Sequence, residues 1–192
     1  MKVIAVDIDN VLNNFDDTLK NTVFEYDEAD SHGLSCDEFD SYLEGVKSGA
    51  ANEGEFLTTK FSDFRYRIHK QCYRLAETNS DGVQFIHWLK EHHWQVVICT
   101  KRDLRLTGDC TKKWLAANNI PYDYLFMASN KIVFCNLWQV SRLIDDDLFT
   151  IAYGAQYGIQ VYYPIMPKHK GISQTGAKGF TQFEEIKQWI LG

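Results

Sequence analysis

The sequence has no long run of lysine and arginine, and its formal net charge is −6 with a pI near 5.5. Proteins that hold nucleic acid through its phosphate backbone usually present a basic stripe, so we expect no nucleic-acid partner. A small anionic substrate remains compatible with this charge balance, because a single phosphate group needs only a locally positive pocket.

The sequence also lacks an apolar segment of the roughly eighteen residues that would span a membrane. Its amino terminus has no basic stretch followed by a long apolar run, which a secretory signal would require. The five cysteines contain no CxxC pair and match no zinc-ligand spacing, and Cys99 and Cys135 lie in or beside apolar runs typical of buried residues. These absences predict a cytoplasmic protein with reduced cysteines and no membrane partner.

The chain does contain enough apolar material for a globular core, with 45% hydrophobic and 24% charged residues over 192 positions. Continuous apolar runs typical of buried parallel strands occur at residues 2–6 and 95–99. Weaker strand patterns follow at residues 122–127, 141–144 and 159–163, and helical patterns lie between them. Strands that alternate with helices predict an α/β fold, a Rossmann-like doubly wound parallel sheet.

Capping residues indicate where several helices begin. Asp81 is expected to cap the helix that precedes the second strand. Thr181 and Glu184 have the spacing of a capping box ahead of the last helix. Asp147 is expected to cap the helix that follows the fourth strand.

Residues 14–78 interrupt the alternation, because they show helical patterns and no convincing strand. Ser35 and Glu38 have the spacing of a capping box within this segment. We therefore predict a helical insertion placed directly after the first strand. The predicted core domain consists of residues 1–13 and 79–192.

Two carboxylates follow the first predicted strand. Asp7 and Asp9 lie two residues apart, so alternation along an extended chain points both side chains to the same side. Two like charges at that separation are costly unless a cation or a proton offsets them. Aspartate pairs also cap helices or solvate loops, but ligands of open parallel sheets bind beyond the carboxyl ends of strands, which makes this pair a candidate for chemistry.

Three further features fall at the ends of later predicted strands. Thr100 follows the second strand, where its hydroxyl and the next backbone amide suit a phosphoryl oxygen. Lys131 follows the third strand, where a fixed ammonium would neutralise phosphate charge. Asp145, Asp146 and Asp147 follow the fourth strand and form a carboxylate cluster suited to a hard divalent cation.

Other basic residues have less specific interpretations. Lys112 and Lys113 compete with Lys131 for the phosphate-neutralising role, but they lie within a helical pattern before the third strand. The Lys-His-Lys stretch at residues 168–170 and the glycines after it predict a mobile surface loop near the same sheet edge. Such a loop can approach an anionic substrate.

The features at the strand ends resemble, in order, the motifs of the haloacid dehalogenase-like (HAD-like) phosphatases. The matches to the first, second, third and fourth family motifs are Asp7-Ile8-Asp9-Asn10-Val11, Thr100, Lys131 and Asp145-Asp146. The resemblance covers nearly the whole chain, and the predicted helical insertion takes the position of the family's first type of cap. Within the family, residues 7–10 and 111–123 look most like the 5'(3')-deoxyribonucleotidase branch.

The resemblance implies a Mg²⁺-dependent phosphomonoesterase. Asp7 would attack phosphorus and form an aspartyl-phosphate. Asp9 would protonate the leaving oxygen and then take a proton from the attacking water. Dehalogenases that resemble this fold lack the second aspartate, because an alkyl halide needs no proton on its leaving group.

The resemblance also implies which residues hold the metal and the phosphate. Asp146 is expected to be the direct carboxylate ligand of Mg²⁺ beside Asp7 and the backbone carbonyl of Asp9, with Asp145 orienting the metal's waters or Lys131. The transferring phosphoryl group would contact Thr100, Lys131 and the backbone amide of Lys101, whose side chain offers a second charge.

The expected substrate is a small phosphorylated molecule, with (deoxy)nucleoside monophosphates preferred. The alternatives are a phosphatase of sugar phosphates or other small metabolites, and a non-catalytic binding module that keeps the fold. A nucleic-acid 3'-phosphatase is disfavoured by the acidic balance of the chain. The sequence specifies neither the base, the sugar, the phosphate position nor the oligomeric state.

Overall fold

A computed structural model of the chain describes residues 2–24 and 68–192. The chain divides into two compact units, one formed by residues 1–14 and 77–192 and the other by residues 15–76. The Ser35 capping-box pattern lies outside the described residues, as does most of the predicted insertion. The predicted domain boundaries therefore stay a prediction.

Among the described residues, six strands belong to the first unit: β1 (Val3–Val6), β2 (Gln95–Thr100), β3 (Tyr124–Met127), β4 (Arg142–Ile144), β5 (Gln160–Pro164) and β6 (Ala177–Phe180). They pair in parallel into one sheet with the order β3-β2-β1-β4-β5-β6. This arrangement confirms the predicted α/β class and the doubly wound parallel sheet.

Helices connect these strands. The described helices are α1 (Phe15–Phe24), α2 (described over 68–75), α3 (Ser80–Glu91), α4 (Leu104–Ala117), α5 (Lys131–Leu137), α6 (Leu148–Gln156) and α7 (Phe183–Leu191), with a short 3-10 helix at Pro167–His169. No helix within residues 2–24 or 68–192 combines the length and hydropathy that crossing a membrane demands.

Both faces of the sheet are covered. Ile4 and Val6 of β1 belong to one buried cluster, which also contains Phe85 of α3. Ala5 lies between them in the chain and belongs to a second cluster together with Cys135 of α5. Alternate side chains of a strand point to opposite faces, so a strand covered on both sides requires the continuous apolar run that the sequence shows. Both cysteines predicted to be buried are fully buried.

Strand β6 is not predicted by the sequence patterns. Its residues are Ala-Lys-Gly-Phe, and of these only Phe180 is buried. The strand lies at the edge of the sheet, where it pairs with a single neighbour, β5. An edge strand of this length needs no apolar run, which explains why the pattern is missing.

The cap of α3 differs from the prediction. Asn79 caps this helix, and its side chain accepts hydrogen bonds from the backbone amides of Asp81 and Gly82. The Asp81 carboxylate instead accepts from the backbone amide of Phe183, the first residue of α7, at 2.8 Å. Asp81 therefore joins two helices rather than starting one.

The start of α7 is displaced by one residue from its predicted position. Helix α7 begins after Gln182, and the carboxylate that turns back is Glu185 rather than Glu184. Glu185 Oε1 accepts from the backbone amides of Thr181 and Gln182 at 2.8 and 2.9 Å. The displacement matches the Gln182 cap, because the carboxylate three residues beyond the cap is the one that can reach back.

The described part of the second unit is helical, in agreement with the predicted character of the insertion. Phe15 of α1 stacks on Tyr73 of α2 with ring centroids 5.3 Å apart, and its ring meets that of His69 edge-on at 5.4 Å. Ile68 and Cys72 of α2 are buried. The apolar residues recur every three to four positions, as a helix with one buried face requires.

Candidate active site

The carboxyl ends of β1, β2 and β4 meet at one edge of the sheet. The strand order reverses at β1, because β2 and β3 lie on one side of it and β4, β5 and β6 on the other. Open parallel sheets bind ligands in the crevice beyond such a switch point. Asp7 follows β1 and Asp145 follows β4, and the backbone amide of Asp7 donates to the carbonyl of Ile144 at 2.9 Å. The two strand ends are thereby held in register.

Three buried carboxylates converge at this edge. Asp7, Asp145 and Asp146 are 5%, 0% and 6% exposed, and one oxygen from each lies within 4.8 Å of the others. We call these residues the carboxylate triad. Lys131 contacts two of them, with Nζ 2.8 Å from Asp7 Oδ2 and 2.7 Å from Asp145 Oδ2. The structure thus brings together four residues that the sequence placed at strand ends.

Lys131 reaches the triad as the first residue of α5. Asn130 caps that helix by accepting from the backbone amide of Val133 at 3.0 Å. The competing lysines, Lys112 and Lys113, are exposed on α4. A lysine that begins a helix directly after a strand lies close to the sheet edge, whereas a lysine in the last turns of a helix is carried away from it.

Burial and crowding determine the protonation of the triad. Desolvation raises the pKa of Asp7 well above its usual value, Lys131 opposes this shift, and Asp145 and Asp146 add to it. Desolvation likewise raises the pKa of Asp145. Burial alone would lower the pKa of Lys131, but Asp145 and Asp7 more than offset it, so that pKa is raised and the ammonium stays charged. An additional cation would therefore be stabilised here.

One oxygen of the triad has no hydrogen-bond donor in the described part of the chain. Among the described residues, no donor reaches the buried Asp7 Oδ1, whereas Oδ2 of the same carboxylate contacts Lys131. Buried polar atoms are nearly always paired, so an exception calls for a ligand or a chemical role. An unpaired oxygen in a cluster of carboxylates fits a hard divalent cation, because such ions bind oxygen ligands.

Asp146 is held by two further side chains. Its Oδ2 accepts from Asn10 Nδ2 at 2.9 Å and contacts Lys168 Nζ at 2.5 Å. Asn10 has φ of 59°, a left-handed conformation that asparagine tolerates better than most residues. The buried ring of His169 places Nε2 2.7 Å from the backbone carbonyl of Asp146. The predicted surface position is therefore wrong for His169, whose buried ring lies against the site, whereas the mobility of the loop stays a prediction.

Asp9 is not one of the converging triad carboxylates and binds Arg102 instead. Arg102 Nε lies 2.9 Å from Asp9 Oδ2, and its second terminal nitrogen lies 2.5 Å from Oδ1, which also accepts from Asn13 Nδ2 at 3.1 Å. The Arg102 side chain is fully buried and also contacts Thr111 Oγ1 at 3.3 Å and the face of the Trp114 ring at 5.9 Å. A planar guanidinium that binds both oxygens of a carboxylate fixes its orientation.

Asp7 and Asp9 contact different basic residues, Lys131 and Arg102, and the expectation that they point to the same side stays a prediction. Strand β1 ends at Val6, and the backbone amides of Val11 and Leu12 donate to the carbonyl of Ile8, so the chain turns immediately. Alternation along an extended strand does not continue through a turn. The converging oxygens of the triad accordingly do not include those of Asp9.

Thr100 and Lys101 occupy different surroundings. Thr100 is buried at the end of β2, where its Oγ1 accepts from the backbone amide of Arg102 at 3.3 Å. The Lys101 ammonium lies 2.9 Å from Asp147 Oδ2 and not at the triad. Asp147 caps α6 by accepting from the backbone amide of Thr150, as predicted. The role of the Lys101 backbone amide stays a prediction.

Sequence patterns missed the role of Arg102 and assigned Lys168 to the surface. The sequence does contain a signal for Arg102, because this residue follows the end of β2 by two positions. Asp9 similarly follows the end of β1 by three positions. A charged residue at such a position belongs among the candidates at the sheet edge. Lys168 carries no comparable signal, because it follows its strand by four residues in a segment rich in glycine and lysine.

Comparison by sequence identifies no family model and no curated protein that matches this chain. Comparison by structure does find similar folds, each at low sequence identity. A HAD phosphatase from Thermococcus onnurineus matches with a TM-score of 0.66 and 16% identity, covering 100% of this chain and 98% of that one.

Two other solved structures have the same fold. A HAD hydrolase from Bacillus subtilis bound to magnesium matches with a TM-score of 0.66 and 14% identity over 98% of both chains. An L-2-haloacid dehalogenase from Xanthobacter autotrophicus with covalently bound chloropropionic acid matches with a TM-score of 0.65 and 10% identity, over 100% of this chain and 99% of that one. The chain therefore has the HAD-like fold.

Proposed function

We propose that this protein is a Mg²⁺-dependent phosphomonoesterase that acts through an aspartyl-phosphate on Asp7. The observation that carries the proposal is the buried carboxylate triad with Lys131 at the switch point of a HAD-like sheet. Two proteins of the same fold support it, since one is named a phosphatase and another is bound to magnesium.

The triad supplies the metal ligands. Both oxygens of Asp145 already accept hydrogen bonds, Oδ2 from Lys131 and Oδ1 from the backbone amide of Asp147. This favours Asp7 and Asp146 as the direct ligands and Asp145 as the carboxylate that positions Lys131. When bound, Mg²⁺ supplies Lewis-acid stabilisation of the charge on the phosphoryl oxygens.

Asp7 is the nucleophile in this proposal. Lys131, 2.8 Å from Oδ2, favours the ionised carboxylate that a nucleophile requires, against the burial that raises the pKa of Asp7. As the bond from Asp7 to phosphorus forms, the bond from phosphorus to the leaving oxygen breaks. Water then displaces Asp7 from phosphorus and releases inorganic phosphate. Thr100 and Lys131 hold the phosphoryl oxygens during both steps.

Asp9 is the acid and base in this proposal. It gives a proton to the leaving oxygen in the first step and takes one from water in the second. Both of its oxygens accept hydrogen bonds from Arg102 in the structure. Each carboxyl oxygen has two acceptor sites, so Asp9 can carry the proton on one of them while Arg102 keeps its hold on the carboxyl group. Arg102 is thus a positioning residue for Asp9.

The preferred substrates are proposed to be nucleoside monophosphates, including deoxynucleotides. The support is the resemblance of residues 7–10 and 111–123 to the 5'(3')-deoxyribonucleotidase branch. Sugar phosphates and other small phosphate esters are the alternative substrates. The presence of Asp9 favours phosphate esters over alkyl halides, because only the ester's leaving oxygen needs a proton.

The test is phosphate release from a panel of nucleoside 5'- and 3'-monophosphates and sugar phosphates, with Mg²⁺ and with a chelator. We expect Mg²⁺-dependent release that is fastest on nucleotides and absent in Asp7→Asn. Release that persists in Asp7→Asn or ignores chelation would contradict the mechanism. Faster release from sugar phosphates would identify these, rather than nucleotides, as the preferred substrates. No release from any member by the folded, Mg²⁺-loaded protein would favour a non-catalytic binding module.

A further inference from the structure

Lys168 reaches the carboxylate triad from the segment after β5. Its Nζ lies 2.5 Å from Asp146 Oδ2, an oxygen that also accepts from Asn10 Nδ2. The Lys168 side chain is 14% exposed, so its ammonium is held within the protein rather than in solvent. Two lysines from different elements, Lys131 and Lys168, therefore contact the triad.

The short helix that carries Lys168 is fixed to the backbone of the triad. The next residue, His169, is 5% exposed and places Nε2 2.7 Å from the Asp146 carbonyl and Nδ1 2.6 Å from the Pro164 carbonyl. Its ring also packs edge-on against Tyr163, with centroids 5.2 Å apart. The backbone of Lys168 is thus held in place, whereas its flexible four-carbon side chain lets the ammonium move without it.

The two lysines differ in how firmly they are bound. Lys131 lies between Asp7 and Asp145 and is 2% exposed. The Lys168 side chain is more exposed, at 14% against 1% for that of Lys131, and Asp146 Oδ2 keeps its hydrogen bond from Asn10 if the Lys168 ammonium leaves. Lys168 is therefore the lysine that can change its partner at the smaller cost.

A divalent cation at the triad would change the charges that surround the Lys168 ammonium. The cation and the ammonium both draw stabilisation from Asp146, and they repel each other at contact distances. A phosphate dianion beside Asp7 offers the displaced ammonium a partner of opposite charge. Asp146 would thus serve two cations in turn.

We propose that Lys168 exchanges partners during the catalytic cycle. It neutralises Asp146 before Mg²⁺ binds, and it then contacts the phosphoryl oxygens of the substrate as a second phosphate-binding lysine. This inference rests on the proposed function. It predicts effects of opposite sign on metal affinity and on phosphate affinity when Lys168 loses its charge.

The metal part of the inference is tested by calorimetric titration of the full chain with Mg²⁺ alone. Lys168→Met removes the competitor, so we expect the Kd for Mg²⁺ to fall roughly tenfold. The matched control is Lys170→Met, an exposed lysine two residues along the same segment, which should leave the Kd within about twofold. A Kd in Lys168→Met that is unchanged or higher would overturn the exchange.

The phosphate part is tested by titration with inorganic phosphate at saturating Mg²⁺. We expect Lys168→Met to weaken phosphate binding about tenfold and Lys168→Arg to retain most of it. A purely structural role would weaken both ligands together. Phosphate affinity in Lys168→Met equal to that of the wild type would overturn the role of Lys168 as a phosphate contact.

A third variant and the wild type complete the design. Lys168→Gln keeps a hydrogen bond to Asp146 without the charge, and it should show the same pair of shifts if Lys168→Met fails to fold. Failure of the proposed function appears in the wild type, as no Mg²⁺ binding and no phosphate release. Failure of the Lys168 inference alone appears as a wild type that does both, with Lys168 variants indistinguishable from it in both titrations.

Discussion

Two aspartates separated by one residue lie in pockets with different charge balance, one with an excess negative charge and one neutral. The lysine pocket consists of Asp7, Asp145 and Lys131, in which two carboxylates share one ammonium. The arginine pocket consists of Asp9 and Arg102, supported by Asn13, Thr111 and Trp114, in which one carboxylate binds one guanidinium through both oxygens. Lys131 and Arg102 are both buried, so the two pockets differ in the number of carboxylates and in how their oxygens are hydrogen-bonded, not in the burial of the cation.

The difference indicates how the two aspartates divide their roles. In the lysine pocket Asp7 Oδ1 has no donor among the described residues, and burial raises the pKa of the carboxyl group. The arginine pocket satisfies both oxygens of Asp9. A reactive group without its hydrogen-bond partners lowers the stability of the fold. A group whose hydrogen bonds are all formed is held in a defined position.

The largest effect is expected from removing the nucleophile of the lysine pocket. Asp7→Asn should lower phosphate release by about 10⁴-fold or more, because the amide cannot form the aspartyl-phosphate. Steady-state assays with the best substrate of the panel would measure it, with an intact melting curve as the control for folding. A loss of tenfold or less would mean that another group attacks phosphorus.

Lys131→Met should break the lysine pocket and destabilise the fold. Two buried carboxylates then lose their shared cation, which costs about 3–5 kcal/mol. The raised pKa values of Asp7 and Asp145 fix the pH dependence: the carboxylates take up protons as the pH falls, so the loss should be larger at pH 8 than at pH 5.

Chemical denaturation at the two pH values measures this loss. Lys101→Met is the matched comparison, because its pair with Asp147 is about one-third exposed or more on each side and should contribute at most about 1 kcal/mol. Equal losses for the two lysines, or a Lys131→Met loss that grows as the pH falls, would contradict the charge imbalance of the lysine pocket.

Arg102→Met should disturb the arginine pocket in a way that depends on the leaving group. Asp9 loses its bidentate partner, so hydrolysis of alkyl phosphates should slow by about tenfold. p-Nitrophenyl phosphate should be much less affected, because its leaving oxygen needs little help from a proton. The measurement is the ratio of kcat values on the two substrates.

The control for this ratio is Thr111→Val, which removes a contact of Arg102 while keeping the contacts to Asp9. It should leave the ratio near that of the wild type. An equal fall on both substrates in Arg102→Met would mean that Arg102 acts on phosphate binding or on the fold rather than through Asp9.

The smallest expected effect is a pair of opposite shifts in Tm. Asp7→Asn should raise Tm by a few degrees at pH 7, because a raised carboxyl pKa means that ionised Asp7 destabilises the fold as the pH rises. Asp9→Asn should lower Tm, because the buried Arg102 loses its charged partner. Thermal melts at one pH compare the two, and shifts of the same sign would remove the distinction between the pockets.

The sequence predicted what depends on position at a strand end. Asp7, Lys131 and Asp145 were placed at one sheet edge because the carboxyl ends of parallel strands meet there, and the structure brings their charged groups together. The continuous apolar runs of β1 and β2 were visible for an equally simple reason, since both strands are covered on both faces.

The remainder depends on contacts that leave no local pattern. Arg102 lies 93 residues from Asp9, and Lys168 lies 22 residues from Asp146, so neither pairing has a periodicity to detect. Asp9 lies in a turn that begins at Ile8, where the alternation of the strand before it no longer applies. Strand β6 was missed because a short edge strand is defined by its neighbour rather than by its own residues.

Asn10 meets two demands that few residues satisfy together. Its φ of 59° suits glycine, asparagine or aspartate, and its side-chain amide donates to Asp146. Glycine would keep the backbone and lose the donor, whereas aspartate would put a further negative charge beside Asp146. Positions 10 and 146 should therefore covary among relatives of this chain, and a change at one of them without the other would mark a member whose metal site has altered.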